Sequence, residues 1–519
     1  MPRICRSARA LFLLIFSLVF ALAPDTPEAQ LRLSSLSEMQ IGNLPERKPR
    51  DLRTLYHQFN LGYSLDHLRI GVRSEAFGSS ESGRSYGEIL QRFITYRRAN
   101  FQATLGHFYT IVGSGLLAHA FELPGVITEQ RGSRRRYQIV RDLDGIHLRY
   151  GLPWGRIQLL RGAPVNSDLP PGLKGINRRQ GTIQGGTLTL QPRSYLDTEL
   201  SLLDYDTGEE RELGLALGTR LRLETLLSSL GLDGIYADLY GEYARRNPDS
   251  GPIFSMSRDR SRALYLSSTI TVGAWGLSLE FKDYRNFALT QINNPPPLIR
   301  EHSAYLLNRI THDLLPDDER GFQGELSYAT AGGYVLTANW THAVRQLTPG
   351  RADDRSLSEL FLQLNAPLGD LIEAQFFVDV NRNQILDDQR HRIVGTLWNW
   401  SINPHYSLEL DVQFQDVDRR FGASEYPYTN LYLNFAAHRT SGISAALSVE
   451  RSTDVLATGA NPSGTTWWRG LSLNADLGSN HNVHIFTGQR RAGLACSAGT
   501  CYEILGFEGV EIRLHNRFF

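Results

Sequence analysis

Residues 406–415 read Tyr-Ser-Leu-Glu-Leu-Asp-Val-Gln-Phe-Gln, and their alternation decides the fold. Tyr406, Leu408, Leu410, Val412 and Phe414 form an apolar row; Ser407, Glu409, Asp411, Gln413 and Gln415 form the opposite one. A period of two marks a strand whose two faces meet different surroundings. The pattern recurs with Trp275, Leu277, Leu279 and Phe281 against Ser278, Glu280 and Lys282. It recurs again with Ile372, Ala374, Phe376, Val378 and Val380 against Glu373, Gln375 and Asp379. A further case sets Ile235, Ala237, Leu239 and Tyr243 against Asp238 and Glu242.

A β-sandwich alternates in the same way, so the period does not decide alone. The repeat, however, runs from about residue 56 to Phe519 with no helical domain between. Aromatics recur near strand ends, at Trp398, Trp400, Tyr426, Tyr428, Trp467 and Trp468, as in an interfacial girdle. The chain ends in Phe518-Phe519, an aromatic ending typical of barrels handed to the outer-membrane assembly machinery. Phe519 itself is out of phase with the apolar row Val510, Ile512, Leu514 and Phe518.

Connections alternate between short and long. The short ones are near Arg98, Pro153-Trp154-Gly155, Gly273, Gly332, Pro367-Leu368-Gly369, Asn403-Pro404 and Gly478-Ser479-Asn480-His481. The long ones are about 110–144, 163–180, 246–261, 285–319, 344–355, 381–391, 416–427, 452–465 and 492–501. Tight periplasmic turns and longer outside loops are the habit of transmembrane barrels. Counting from residue 56 gives about 23 strands, and bacterial single-chain barrels have even numbers. A further strand is therefore expected over 31–41, where Leu31, Leu33, Met39 and Ile41 are periodic. The expected fold is all-β: a transmembrane antiparallel up-and-down β-barrel of about 24 strands, within about 22–26. A lumen this wide would leak if open, and loops 110–144 and 285–319 are the candidates for folding inward.

Arg3, Arg6 and Arg9 precede an apolar run from Leu11 to Ala23, the form of a secretory signal. The run is shorter than the roughly 20 apolar residues of a membrane-spanning helix. Cleavage fits after Ala23 or after Ala29, and Cys5 would leave with the signal. The chain divides into a signal over 1–29, an N-terminal segment with the first strand over 30–55, and the barrel over 56–519. Its 54 basic and 54 acidic residues balance, which argues against nucleic acid as a partner. Lysine occurs only at Lys48, Lys174 and Lys282. Cys496 and Cys501 flank a small, turn-forming spacer, and in an oxidising compartment a local disulfide is expected.

Chemistry-bearing motifs are sparse. Gly113-Ser114-Gly115 falls short of a nucleophile elbow. Arg134, Arg135 and Arg136 are candidates for an anion-attracting constriction or for a salt-bridged loop. His302, His312 and Asp313 place imidazoles beside carboxylates without a fixed nucleophile or a recognised metal spacing. Asp379, Asn381, Asn383 and Asp387 have the oxygen spacing of a calcium loop, the one cofactor the residues suggest. Gln384 and Arg390 replace its turn glycine and bidentate glutamate.

Two stretches carry a family resemblance. One is Thr104-Leu105-Gly106-His107-Phe108-Tyr109 with Gly113-Ser114-Gly115-Leu116. The other runs from Arg300-Glu301-His302 through Asn308-Arg309 and Thr311-His312 to Asp318-Glu319-Arg320-Gly321-Phe322-Gln323. Together they resemble the domain-of-unknown-function family numbered 6029, whose members are secreted bacterial proteins of barrel type. The resemblance implies a barrel over most of the mature chain and brings no catalytic residues.

The resulting expectation is a non-enzymatic, porin-like or loop-occluded channel for small polar solutes in the outer membrane. Its selectivity would come from lumen-facing Asp238, Glu242, Glu280, Glu373, Asp379, Glu409 and Asp411, set against the three arginines. Its partners would be outer-membrane lipid, lipopolysaccharide and the barrel assembly machinery. The alternatives are a barrel-anchored binding or assembly platform and an outer-membrane hydrolase using Ser114, His302 or His312.

Overall fold

The computed structural model describes residues 29–45, 47–206, 211–247, 261–289, 292–296, 300–311, 318–345, 355–385, 388–422, 424–454, 466–497 and 500–518. Each long strand pairs antiparallel with its neighbour in sequence, apart from small hairpins that belong to loops. The first strand, Ala29–Asn43, pairs with Arg53–Leu65 on one side and with the last strand, Phe507–Arg517, on the other. That second pairing closes the sheet into a 24-stranded barrel with no free edge. Closure answers the hazard of an unpaired edge and lets the wall amides pair within the sheet. The strand expected over 31–41 is thus the one that seals the barrel. The division at residue 55/56 falls inside the second strand, so the barrel begins earlier than the spacing alone suggested.

The period-two rows become two surfaces. Leu279, Leu326, Leu336, Trp340, Leu360, Val378, Val394, Phe414 and Leu447 point outward and are exposed. So much exposed apolar area on one face of a closed sheet marks a lipid-facing surface rather than a soluble one. Outward aromatics collect at the short-turn end, including Tyr96, Tyr150, Trp275, Tyr334 and Tyr406. Trp275 lies 4.3 Å from Tyr328 between ring centroids, directly across the strand pair. Phe518 is exposed and its amide donates to the Leu33 carbonyl; Phe519 lies outside the described residues.

The short-turn end holds connections such as Leu65 to Leu68, Arg98 to Phe101 and Val272 to Trp275, where Gly273 takes φ 54°. One connection there breaks the expectation. Between Arg222 and Ile235 lies a helix, Glu224–Ser229, with exposed Leu226 on it and exposed Leu230 and Leu232 just after it. The apolar/polar alternation stops at Arg222 and gave no sign of a helix this brief.

Candidate functional site: a lumen filled by the protein's own loops

The first long loop leaves the wall at Phe108 and returns at Leu143. It folds into the barrel, and two wall carboxylates receive it. The Gly113 amide donates to Glu199 at 2.8 Å, and the Ser114 amide to Glu242 at 2.6 Å. Ser114 Oγ also donates to Glu242, as does the Tyr240 hydroxyl at 2.7 Å. Gly113 has φ 62°, and a Cβ there would collide with the Glu242 carboxylate. The Gly-Ser-Gly run is therefore a docking tip. Ser114 is held by a carboxylate, with no imidazole among its hydrogen-bond partners in the described residues. Behind the tip, Val112, Leu116, Leu117 and Ala118 pack on Leu203, Ala216, Ala244, Ala263 and Tyr284. These wall positions are small or apolar where a water-filled lumen would be polar. Each fully buried leucine contributes about 1.5–3 kcal/mol to holding the loop inside.

A hairpin within this loop, Phe121–Glu129 with Arg136–Arg141, leans on another part of the wall, the strand Leu68–Ser79. Arg73 pairs with Glu122 at 2.6 Å, Tyr109 donates to the same carboxylate, and Glu75 accepts from the Gln138 amide at 3.0 Å. Arg134, Arg135 and Arg136 are buried and partnered, and Arg134 and Arg136 also border a gap of about 350 Å³ with Arg490 and Arg513. Arg134 pairs with Glu129 and donates to Asn43 at 3.3 Å. Arg135 donates to the carbonyls of Gly83, Arg84 and Pro171. Arg136 pairs with the buried Glu38. Burial requires partners for a guanidinium, and here the partners are the wall and adjacent loops, so all three act as pins.

The second loop crosses the lumen beside the first. The Asn293 amide group donates to the carbonyls of Leu116 and Phe287, both at 2.9 Å, and the His119 amide donates to Ile292 at 2.8 Å. A single helical turn, Tyr305–Asn308, then meets the far wall. The Leu306 amide donates to Gln413 at 2.9 Å, and Tyr305 stacks on Tyr432 at 4.0 Å. The Tyr305 hydroxyl donates to Glu450 at 3.1 Å; burial pushes this phenol up to about 12, so it remains a donor. Leu307 packs on Phe361, Phe377 and Ile393.

A third element was not foreseen as part of the plug. The hairpin Gly493–Ser497 with Thr500–Ile504, bridged by the Cys496–Cys501 disulfide, exchanges hydrogen bonds with Asn308. Arg491, just before it, donates to Glu450 at 2.8 Å.

The lumen-phase carboxylates separate into three groups. Glu242 and Asp379 are fully covered by the loops. Glu373, Asp238, Glu409 and Asp411 lie toward the short-turn mouth. Asp238 is 3.5 Å from Arg220, Asp411 accepts from Gln413 at 2.8 Å, and Glu373 is exposed. Glu280 borders a gap of about 360 Å³ between the wall and the second loop, with Tyr265, Gln323, Glu325, Pro296 and Arg300. The lining of this gap is mostly polar or charged. The anchors Glu38, Glu75, Glu199, Glu359 and Glu450 were missed as site residues; their lumen-phase position was the only signal.

The calcium-loop spacing takes another form. Asp379, Asn381 and Asn383 lie on the strand Ile372–Asn383, and Asp387 falls outside the described residues. Alternate residues of a strand are about 6.6 Å apart, so these oxygens do not converge as they do in a coiled calcium loop. His302 meets Glu359, at 2.9 Å, while His312 and Asp313 lie outside the described residues.

Residues 43–345, more than half of the 519-residue chain, match the model of a family of unknown function, DUF6029. The chain belongs to this family. The match contains both stretches that carry the resemblance and ends at the strand Val335–Arg345; it includes both lumen-filling long loops of this DUF6029 member. No curated protein matches the chain in sequence. Among solved structures, Pseudomonas aeruginosa OpdQ is 13% identical with a TM-score of 0.41, covering 71% of this chain and 98% of its own. The siderophore receptor PirA from Pseudomonas aeruginosa is 11% identical at a TM-score of 0.43, covering 95% and 81%. OprD of the same organism is 13% identical at 0.38, covering 72% and 92%. At such scores these likenesses carry no argument about function for the DUF6029 chain.

Proposed function

We propose that this protein is a porin-like channel of the outer membrane, occluded by its own loops, for small polar solutes. The observation that carries this reading is the way the plug is made. A lumen of this strand number is filled by loops that return to the wall through polar anchors, leaving a polar gap at Glu280, Arg300 and Glu325. A barrel serving only as an anchor needs no such gap. The reading includes export behind the leader 1–29, insertion by the barrel assembly machinery, and a rim in contact with lipid and lipopolysaccharide.

Proteoliposome swelling with uncharged sugars of increasing size tests the reading. Entry of the smallest sugars and exclusion of larger ones is the expected result. If no sugar enters through protein whose heat-modifiable mobility shows an intact barrel, the anchored-platform alternative replaces it.

Acid should loosen the plug. Burial works to raise the Glu122 carboxyl, but the hydrogen bond and charge of Arg73, with the Tyr109 hydroxyl, hold it below its usual range. The stabilisation is complete above the ordinary glutamate value of about 4.3. It is lost as pH falls further, through the lowered folded value. Conductance should therefore rise as pH falls below about 4.3, and Glu122→Gln should abolish that step. An unchanged pH response in the variant would assign the step to another group.

A further inference from the structure

Where the second loop reaches the wall, three ionisable side chains from distant parts of the chain converge. His302 comes from the loop, Glu359 from the strand Arg355–Pro367 and Asp379 from its neighbour Ile372–Asn383. One donor atom from each lies within 4.8 Å of the other two. Glu359 sits directly across from Asn381 in the ladder, and Asp379 is one lumen-facing position further along. The three are 4%, 3% and 0% exposed. His302 Nε2 is 2.9 Å from Glu359 Oε1, and Asn381 Nδ2 donates to Glu359 Oε2 at 2.7 Å. Neither carboxylate oxygen of Asp379, nor Asn381 Oδ1, has a hydrogen-bond partner among the described residues.

Such a group is costly as it stands. A buried carboxylate without a partner is strongly unfavourable, and a second carboxylate beside it adds repulsion. The surroundings offer little relief: His302 packs on Phe361 at 4.5 Å, and Leu307, Phe361, Phe377 and Ile393 form an apolar cluster there. A divalent cation removes the difficulty. Two carboxylates match its charge, and a neutral imidazole supplies a nitrogen donor. Metal–ligand bonds of about 2.0–2.2 Å place neighbouring donors of one ion roughly 3 Å apart, close to the His302–Glu359 separation. The imidazole favours a transition ion over calcium, which takes oxygen ligands. Asn381 fits as the group that orients Glu359.

We propose that His302, Glu359 and Asp379 bind one divalent transition-metal ion, zinc being the best fit, and that this ion clamps the second loop to the barrel wall. The site spans loop and wall, so the bound ion holds the plug in place. Two residues of the calcium-like spacing, Asp379 and Asn381, take part, but their companions come from another strand and from the loop.

The test uses the whole mature protein, stripped with a chelator and titrated with zinc chloride by calorimetry, with manganese and calcium chlorides as comparators. One zinc per chain is expected, bound at least about tenfold more tightly than calcium. His302→Gln and Asp379→Asn should each weaken zinc at least about tenfold. Asp379→Asn removes the unpartnered charge and keeps the shape, so the barrel should fold, as checked by heat-modifiable mobility. Zinc should raise the unfolding temperature of the wild type and leave that of Asp379→Asn unchanged. Zinc binding of equal strength in all three proteins would place the ion elsewhere and overturn the proposal. No zinc binding would also overturn it, and Asp379→Asn as stable as the wild type would then show that Asp379 is held as the neutral acid.

Discussion

Replacing residues 286–317 by a short flexible linker should raise single-channel conductance at least about tenfold, because a lumen of more than 18 strands is wide once it is not filled. The wall ladders that flank the loop, Trp275–Arg285 with Glu319–Ala329, do not depend on it. What the deletion removes is Asn293 across the lumen, the Tyr305 stack on Tyr432 and the Leu307 contact with Phe361. The first loop should remain in place, since Glu199 and Glu242 hold its tip independently. Shortening 111–141 as well should open the lumen further. Planar-bilayer recording of both variants checks this; conductance that stays at the wild-type level in the double variant would refute occlusion by these loops.

Glu38→Ala should destabilise the barrel by about 3 kcal/mol, since removing one partner from a buried charge cluster leaves the others uncompensated. Glu38 is 0% exposed and accepts from both Arg136 of the first loop and Arg513 of the last strand. Arg513 is its direct cross-strand partner at the closing seam, and the next lumen-facing pair, Gln40 with Glu511, is hydrogen-bonded at 2.6 Å. The carboxylate thus joins plug to seam. Denaturant unfolding in detergent reads the loss. The conservative Glu38→Gln should recover only part of it, because an amide cannot neutralise two guanidiniums. A change below about 0.5 kcal/mol, the level of an ordinary surface substitution, would show that the seam does not rely on this pair.

The wall was legible residue by residue. Glu242, Glu280, Asp379, Glu409 and Asp411 all stand on the lumen-facing rows that alternation gave them, because a strand's pleat fixes side-chain direction locally. Two or three neighbours are enough to read it. The long loops were also legible as loops, and their inward folding followed from the width of the lumen. The individual contacts were not. Ser114 meets Glu242 across 128 positions, and Glu38 meets Arg513 across 475. No local period encodes such distances. Arg134, Arg135 and Arg136 read either as a charged constriction or as a salt-bridged loop, because a run of arginines shows charge without showing partners.

The sequence by itself determined the strands, their phase, the alternation of short and long connections and a barrel of about 24 strands. Each of these is set by neighbours in the chain and by the need to satisfy backbone amides in lipid. Only the tertiary structure decided which wall carboxylates grip the loops, which guanidiniums are used up as pins, and that His302 comes to lie against Glu359 and Asp379. Those choices depend on barrel closure, which brings residues together by position around the lumen rather than by position along the chain.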